Sequence, residues 1–277
     1  MPSRVVLITG AVGGLGYVMT EALLQAGHAI AAVDRDGDGL HRLTQKFARP
    51  DGEGRLVTIA ADLSSEVDCM AAVERALVHF GRLEAVINNA GIGMSAIRPD
   101  AETRAPGIDE IAAETWDRFF AVNVRAPMLV AKAALPCMRK LGWGRIVNNT
   151  TSYRTMLRVL PYGATKSALE SMSAVWADEL AVSGITVNVL VPGGPTDTPF
   201  IADASGWPRE QMLRPAIMGP PAAWLMSEAA NGITGQRFTA RDWDASLPPE
   251  EAATRAGRPI GWPELAAGPA WFTTQTK

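Results

Sequence analysis

Cysteine, histidine and surplus basic charge are all scarce in this chain, and each scarcity narrows what it can do. Cys69 and Cys137 are its two cysteines, set in helix-like stretches without CxxC or Cys/His spacing. They read as reduced, partly buried thiols, so neither a disulfide framework nor a thiolate metal site is expected. The three histidines, His28, His41 and His79, have no ligand-spaced partner, and no metal is expected. Net charge is −3, from 26 basic and 29 acidic side chains. With no basic excess to neutralise phosphates, nucleic acid is not an expected partner. No apolar run approaches the ~20 residues of a membrane span. The start, Met1-Pro2-Ser3-Arg4, enters an apolar strand without the h-region of a signal peptide. A cytoplasmic protein that binds neither membrane nor nucleic acid is the expectation.

What is present is alternation. Short β-branched runs at 5–8, 29–33, 55–60, 85–87, 145–148 and 186–191 read as strands. Between them, helical spacing covers 15–26, 39–47, 67–80, 114–141 and 162–182. Strands that alternate with helices predict a doubly wound, Rossmann-like α/β domain, its parallel sheet covered by helices on both faces. Runs such as Val5-Val6-Leu7-Ile8 fit strands buried on both sides. A chain of 277 residues buries about three quarters of its unfolded surface in one core. Two connections, 92–113 and 192–221, are longer than such units need. Both follow the carboxyl ends of strands, where open α/β sheets bind ligands, so they read as walls of a substrate site. Residues 1–240 form the expected domain. The Pro/Trp-dotted stretch 241–277, with Trp243, Trp262 and Trp271, is expected to dock on it or on a neighbouring subunit.

The first strand leads into Thr9-Gly10-Ala11-Val12-Gly13-Gly14-Leu15-Gly16. Gly10 permits a tight turn, Gly14 lets backbone approach phosphate, and Gly16 lets the helix pack close to the strand. The helix N-terminus then offers free N–H groups to a pyrophosphate. A nucleotide-triphosphate loop would place Gly-Lys-Ser/Thr after the last glycine, and Leu15-Gly16-Tyr17 stands here instead. Asp34 ends the second strand 18 residues beyond Gly16. A carboxylate there accepts ribose hydroxyls and repels a 2′-phosphate, which favours NAD over NADP. Arg35 offsets part of that repulsion. Asp62, in Ala61-Asp62-Leu63, serves either the adenine amino group or the next helix as an N-cap, although Ser64 and Ser65 are equally good caps.

Tyr162-Gly163-Ala164-Thr165-Lys166 carries a second chemistry. A tyrosine hydroxyl ionises near pH 10. Lys166 lies one helical turn on, on the same face, and its charge favours the phenolate. Such a pair can take the proton of an alcohol, or return one to a carbonyl oxygen, as a hydride moves.

The glycine turn, Asp62, Asn88-Asn89-Ala90-Gly91, Asn123, a Ser/Thr cluster, Tyr162-x-x-x-Lys166 and Pro192-Gly193 occur in one order. In that order the chain resembles the short-chain dehydrogenase/reductase family, of the single-domain kind, over roughly residues 4–240. The resemblance implies about seven strands, a nicotinamide cofactor, and a dimer or tetramer built on the two long helices. It implies Tyr162 as general acid/base, Lys166 reaching the nicotinamide ribose, and Asn123 holding a water that links Lys166 to solvent. Gly10, Gly14, Leu15 and Gly16 would hold the pyrophosphate, and Asp62 and Leu63 would face the adenine. Asn88, Asn89, Ala90 and Gly91 would line the nicotinamide-side ribose. Pro192, Gly193, Thr196 and Thr198 would meet the nicotinamide amide, though Asp197 stands where the family places its threonine. The family's serine is altered here: Asn148-Asn149-Thr150-Thr151-Ser152 puts Thr151 in its register, while Ser152 is the chemically closer match. The expected activity is interconversion of a secondary alcohol and a ketone with NAD. The alternatives are an NADPH-dependent carbonyl reductase and a silent dinucleotide-binding regulator. Met94, Met156, Leu157, Trp207 and Met212 suggest an apolar, cyclic or aromatic substrate. Arg98, Arg154 and Arg158 are candidates for a carboxylate.

Overall fold

A computed structural model of the chain describes residues 3–47, 54–98, 100, 101 and 103–264. The first half alternates β1 (Val5–Thr9), α1 (Gly14–Gln25), β2 (Ala29–Asp34), α2 (Gly37–Phe47), β3 (Leu56–Ala60), α3 (Glu66–Phe80) and β4 (Ala85–Asn88). Then come α4 (Ala113–Phe120), α5 (Ala126–Leu141), β5 (Gly144–Asn148), a one-turn α6 (Tyr153–Met156) and α7 (Tyr162–Leu180). The chain continues through β6 (Ile185–Val191), α8 (Gly219–Leu225), β7 (Gln236–Thr239), α9 (Pro249–Ala256) and β8 (Gly257–Pro259).

One sheet holds these eight strands in the order β3-β2-β1-β4-β5-β6-β7-β8, all parallel except the β7–β8 pair. The order in which strands are added reverses between β1 and β4, the switch point at which open sheets of this kind bind ligands beyond the carboxyl ends of their strands. Side chains of β1 divide between two cores. Val5 and Leu7 face α3, α5 and α7, and Val6 and Ile8 face α1, α2, α8 and α9. Every residue of β1, β5 and β6 is buried, which is why their sequences show no polar alternation. Local signals fix the helix ends. Ser65 caps α3, its Oγ accepting from Asp68 N at 3.3 Å, and Gly81 closes it at φ +72°. A cap of this kind contributes about 1 kcal/mol.

Four features depart from the sequence expectation. The helix expected at 114–141 is interrupted by a π-helical turn, Ala121–Arg125, centred on the buried Asn123. The connection at 192–221 contains the start of α8, whose first turn holds Pro220 and Pro221, positions where the missing N–H costs nothing. Residues 153–156 form the one-turn α6 between the strand expected at 145–148 and the helix expected at 162–182. An eighth strand, β8, lies beyond residue 240. Its Gly-Arg-Pro sequence carries no strand signal, and its proline is tolerated because it occupies the sheet edge. Residues 241–264 fold back on the sheet: Trp243 packs on Trp224 with centroids 5.6 Å apart, and Ile260 is buried. Trp271 lies outside the described residues. The stretch Ala113–Leu141 is long and apolar enough to cross a membrane by length and composition. In the fold its apolar face, including Val130, Ala134 and Met138, is packed into the core.

Candidate active site

The site begins at a helix without a side-chain cap. Gly13 occupies the N-cap of α1, and the first turn has no acidic residue. The leading N–H groups and the positive end of the helix dipole are thus left for an anion. Gly10 adopts a left-handed conformation, φ +65°. A Cβ on Gly14 would collide with the Thr198 side chain, and one on Gly16 with the Gly10 carbonyl. The turn therefore requires glycine at both positions, because neighbouring atoms already fill the space a side chain would need. Leu15 follows, half-buried against the core.

Asp34 stands beside this turn. Its Oδ2 accepts from Val12 N and its Oδ1 from Asp36 N, each at 3.1 Å. Arg35 is exposed next to it. Asp62 is exposed beyond β3 and is not a helix cap, since Ser65 has that role. Its Oδ1 accepts from Ser64 N at 3.0 Å. Hydrogen bonds from Ser64, backbone and then side chain, hold its carboxyl below the usual range, with Arg35 and Arg118 adding to the effect. Leu63 is buried beside it.

The ends of β1 and β4 are tied together. Thr9 Oγ1 accepts from the N–H groups of Asn89 and Ala90, both at 3.0 Å. Asn89 Nδ2 donates to the carbonyls of Thr9 and Gly10, at 3.0 and 3.1 Å. The Asn88-Asn89-Ala90-Gly91 run therefore has a fixed relation to the glycine turn. Asn88 continues the wiring inward, donating to Asn148 Oδ1 at 2.8 Å.

Tyr162 and Lys166 sit on the first two turns of α7, with Lys166 Nζ 5.7 Å from the Tyr162 ring centroid. Lys166 is buried and donates to Asn149 O at 2.7 Å. Burial pulls its ammonium down to about 8. A Cβ on Gly91 would lie 3.5 Å from Lys166 Nζ and 3.2 Å from Asn123 Oδ1, so these three residues are packed side by side. The Asn123 side chain is engaged with its neighbours. Its Oδ1 accepts from Ile92 N at 2.9 Å, and its Nδ2 donates to Ile92 O at 3.0 Å and Thr165 Oγ1 at 3.1 Å. It clamps the end of β4 to α7. π turns of this kind recur at functional sites.

The hydroxyls after β5 point in different directions. Thr150 Oγ1 donates to Glu170 Oε2 at 2.7 Å. Ser152 caps α6, accepting from Thr155 N at 3.1 Å and pairing with Thr155 Oγ1 at 2.8 Å. Thr151, half-buried between them, has its carbonyl held by Arg237.

Beyond β6, Pro192 O accepts from Arg241 N at 3.0 Å, and Gly193 packs against Thr239 and Arg241. Thr198 lies against Gly14, whereas Thr196 turns back to Gly194 O at 3.0 Å. Asp197, at the family's threonine position, is a clasp. Its two oxygens take Arg209 at 3.2 Å and Arg214 at 2.8 Å, closing the segment 197–214 on itself. Sequence reasoning missed Phe200. Its ring lies 5.8 Å from that of Tyr162, and a Cβ on Gly93 would meet it. A lone phenylalanine in a Pro/Gly-rich loop has no period to reveal it. Of the apolar residues expected at the site, Met94, Met156 and Met212 are buried, while Leu157 and Trp207 are exposed. Arg98 is committed to Asp100 and Glu110, and Arg154 and Arg158 are exposed.

Residues 4–208 match the short chain dehydrogenase family. The chain belongs to that family. It is an oxidoreductase of the alcohol and ketone functions. The cis-4-hydroxycyclohexanecarboxylate dehydrogenase of Sinomonas cyclohexanicum is 29% identical over 245 residues, covering 84% of this chain and 92% of that protein. The 3-ketoacyl-(acyl-carrier-protein) reductase of Brucella melitensis, solved with NADH, superimposes with a TM-score of 0.71 at 30% identity. That match covers 84% of this chain and 95% of the other. A blue fluorescent protein from a metagenomic library, solved with NADPH, gives 0.73 at 27% identity, covering 85% and 95%.

Proposed function

We propose that this enzyme oxidises an apolar, cyclic secondary alcohol with NAD, or reduces the corresponding ketone with NADH, using Tyr162 as general acid–base. One observation carries the reading: the Lys166 ammonium is buried one turn from Tyr162, against Gly91, at the end of β4. The α1 terminus, uncapped by any side chain and formed at a turn that admits no side chain at Gly14 or Gly16, suits a dinucleotide pyrophosphate. The nicotinamide supplies hydride transfer. The protein supplies the proton. Lys166 stabilises the Tyr162 phenolate, which accepts the hydroxyl proton of the alcohol; in reduction the phenol returns it to the carbonyl oxygen. Ser152 is the hydroxyl we assign to the substrate oxygen, because it stands at the head of α6 where the chain turns from β5 toward Tyr162. Asn123 keeps the Gly91 segment at its distance from α7. Thr198, against Gly14, is the threonine better placed for the cofactor.

Asp34 supports NAD over NADP. Its carboxylate sits at the end of β2 beside the glycine turn, where it would accept ribose hydroxyls and repel a 2′-phosphate. Arg35 is the feature that favours the NADPH-dependent alternative. Asp34→Asn removes the charge while keeping an acceptor for Val12 N. The ratio of kcat/KM with NADP to that with NAD should rise at least about tenfold, or about 1.4 kcal/mol. A parent enzyme that already prefers NADP would refute the assignment. A panel of cyclic and linear secondary alcohols, read at 340 nm with each cofactor, tests the activity itself. Dinucleotide binding with no turnover across the panel and its ketones would instead support a silent regulator.

The substrate class rests on Phe200, a residue 41% exposed whose ring is tilted against that of Tyr162 beside Gly93, where it could meet an apolar ring. Phe200→Ala should raise KM for cyclohexanol about tenfold while changing kcat little, because the contact is made equally in ground and transition states. An unchanged KM would remove Phe200 from the substrate wall. Exposed Trp116 and Met128 on α4 and α5, and Val175 on α7, support assembly through the long helices. The unpaired thiols of Cys69 and Cys137 are in keeping with a cytoplasmic setting.

A further inference from the structure

A buried ion pair lies behind the hydroxyl-bearing segment and has no part in the chemistry above. Glu170 is fully buried on α7, one turn beyond Lys166, and Arg237 is 6% exposed on β7. Arg237 Nη1 meets Glu170 Oε2 at 2.6 Å. The pair makes few bonds to its own elements and several to residues 150–153. Arg237 Nη1 donates to Thr150 Oγ1 at 3.0 Å, and Nη2 donates to Thr151 O. Thr150 Oγ1 donates to Glu170 Oε2 at 2.7 Å, and Tyr153 OH donates to Glu170 Oε1 at 3.3 Å. The guanidinium also lies 4.4 Å over the Tyr153 ring. Ser152 is thus bracketed on both sides by residues that the pair holds. The remaining Glu170 contact comes from the C-terminal stretch, where Gly261 N donates to Oε1 at 3.3 Å. Trp262 packs on Tyr153, with centroids 5.8 Å apart.

Burying two charges is costly, and an apolar pair of similar volume often serves stability equally well. What an apolar pair cannot do is donate to Thr151 O and Thr150 Oγ1 at once, a task that needs a planar fork of N–H groups. Arg237 and Gly261 both lie outside the 4–208 segment that matches the family, so this arrangement draws on the chain's own C-terminal part. We propose that Arg237 and Glu170 are positioning residues: they set the Ser152 hydroxyl against Tyr162 and make that geometry depend on the docked 257–262 stretch. The inference rests on the reading of Tyr162 and Ser152 as the proton-handling pair. Tyr153, pushed up to about 12 chiefly by burial and next by Glu170, stays a donor throughout the working range.

The test compares Arg237→Lys, the double substitution Glu170→Leu with Arg237→Met, and Tyr153→Phe in the full chain. Four quantities are read: melting temperature, NADH affinity by fluorescence, kcat and KM for the best alcohol of the panel, and hydrogen exchange over 149–156. The apolar pair should keep the melting temperature and NADH affinity of the parent. Its kcat should fall at least about tenfold, since a displacement of about 1 Å at a reacting group costs up to about a hundredfold. KM should change less than kcat, and exchange over 149–156 should rise. Arg237→Lys keeps the charge but loses the fork, and should lose at least about fivefold in kcat while staying folded. Should the apolar pair fail to fold, Arg237→Lys and Tyr153→Phe decide by the same exchange and kcat readings. Parent-like kcat and exchange in a folded variant would overturn the proposal, as would a kcat loss that merely tracks a lower melting temperature. A Tyr162→Phe enzyme that retains turnover in the same assay would instead overturn the underlying reading, so the two failures are separable.

Discussion

Tyr162→Phe should reduce kcat about a thousandfold, within the range of about 10²–10⁴ that a well-placed general acid–base supplies. The substitution removes the phenolic oxygen and leaves the ring, so the contact with Phe200 at 5.8 Å survives. The glycine turn, Asp34 and the Thr9–Asn89 wiring lie on other elements and are untouched. NADH affinity should therefore stay within about twofold of the parent, well under 1 kcal/mol. KM for the alcohol should also hold, because the loss falls on an interaction that develops in the transition state. Stopped-flow hydride transfer at 340 nm, with a parallel NADH titration, separates the two quantities. Near-native turnover would show that the proton leaves by another route and would remove the basis for the roles given to Lys166 and Ser152.

Much of this site is legible from residue type and order, because its first half is local chemistry. The strand at 5–9, the glycine turn and the acidic residue at the end of the second strand are contiguous patterns, and each has one structural solution. Tyr162 and Lys166 are one turn apart on a helix, so a spacing of four suffices to bring them together. The Asn123 position shows where such reading weakens. Its helical period runs smoothly through 114–141, yet the chain widens into a π turn at 121–125, where the Asn123 side chain reaches across to Ile92 and Thr165. Phe200, Arg237 and Glu170 were beyond reach for a different reason. Their meaning comes from partners 38, 86 and 91 residues away, across elements that only the folded sheet brings together. Asp197 departs from the family's pattern already in the sequence. Its use as a clasp required knowing that Arg209 and Arg214 return to it.

Lys166→Met should separate catalysis from stability, because the same burial that gives the ammonium its influence over Tyr162 opposes its charge. The ammonium titrates near 8 in the fold against a reference value of 10.5, with desolvation as the cause. The depressed folded value means that charging this lysine disfavours the folded state, by about 3 kcal/mol. The sign follows from proton counts. Below pH 8 both states hold the proton and the full penalty is present. Between 8 and 10.5 the folded lysine has released its proton while the unfolded one retains it, so the penalty shrinks. Above 10.5 it is gone. Methionine escapes the penalty but forfeits the 2.7 Å bond to Asn149 O, which returns about 1 kcal/mol. At pH 7 the variant should thus be more stable by about 2 kcal/mol, or roughly 5 °C in melting temperature. That margin should close as pH rises through 8 toward 10.5. Its turnover should fall at least about a hundredfold, since the Tyr162 phenolate has lost its counter-charge. Urea unfolding of both proteins from pH 6 to 10 checks the trend. A variant less stable than the parent at pH 7, with a difference that ignores pH, would mean that Lys166 is well solvated and keeps its ordinary proton affinity in the fold. A charge screened in that way would favour the Tyr162 phenolate too weakly for the part assigned to it.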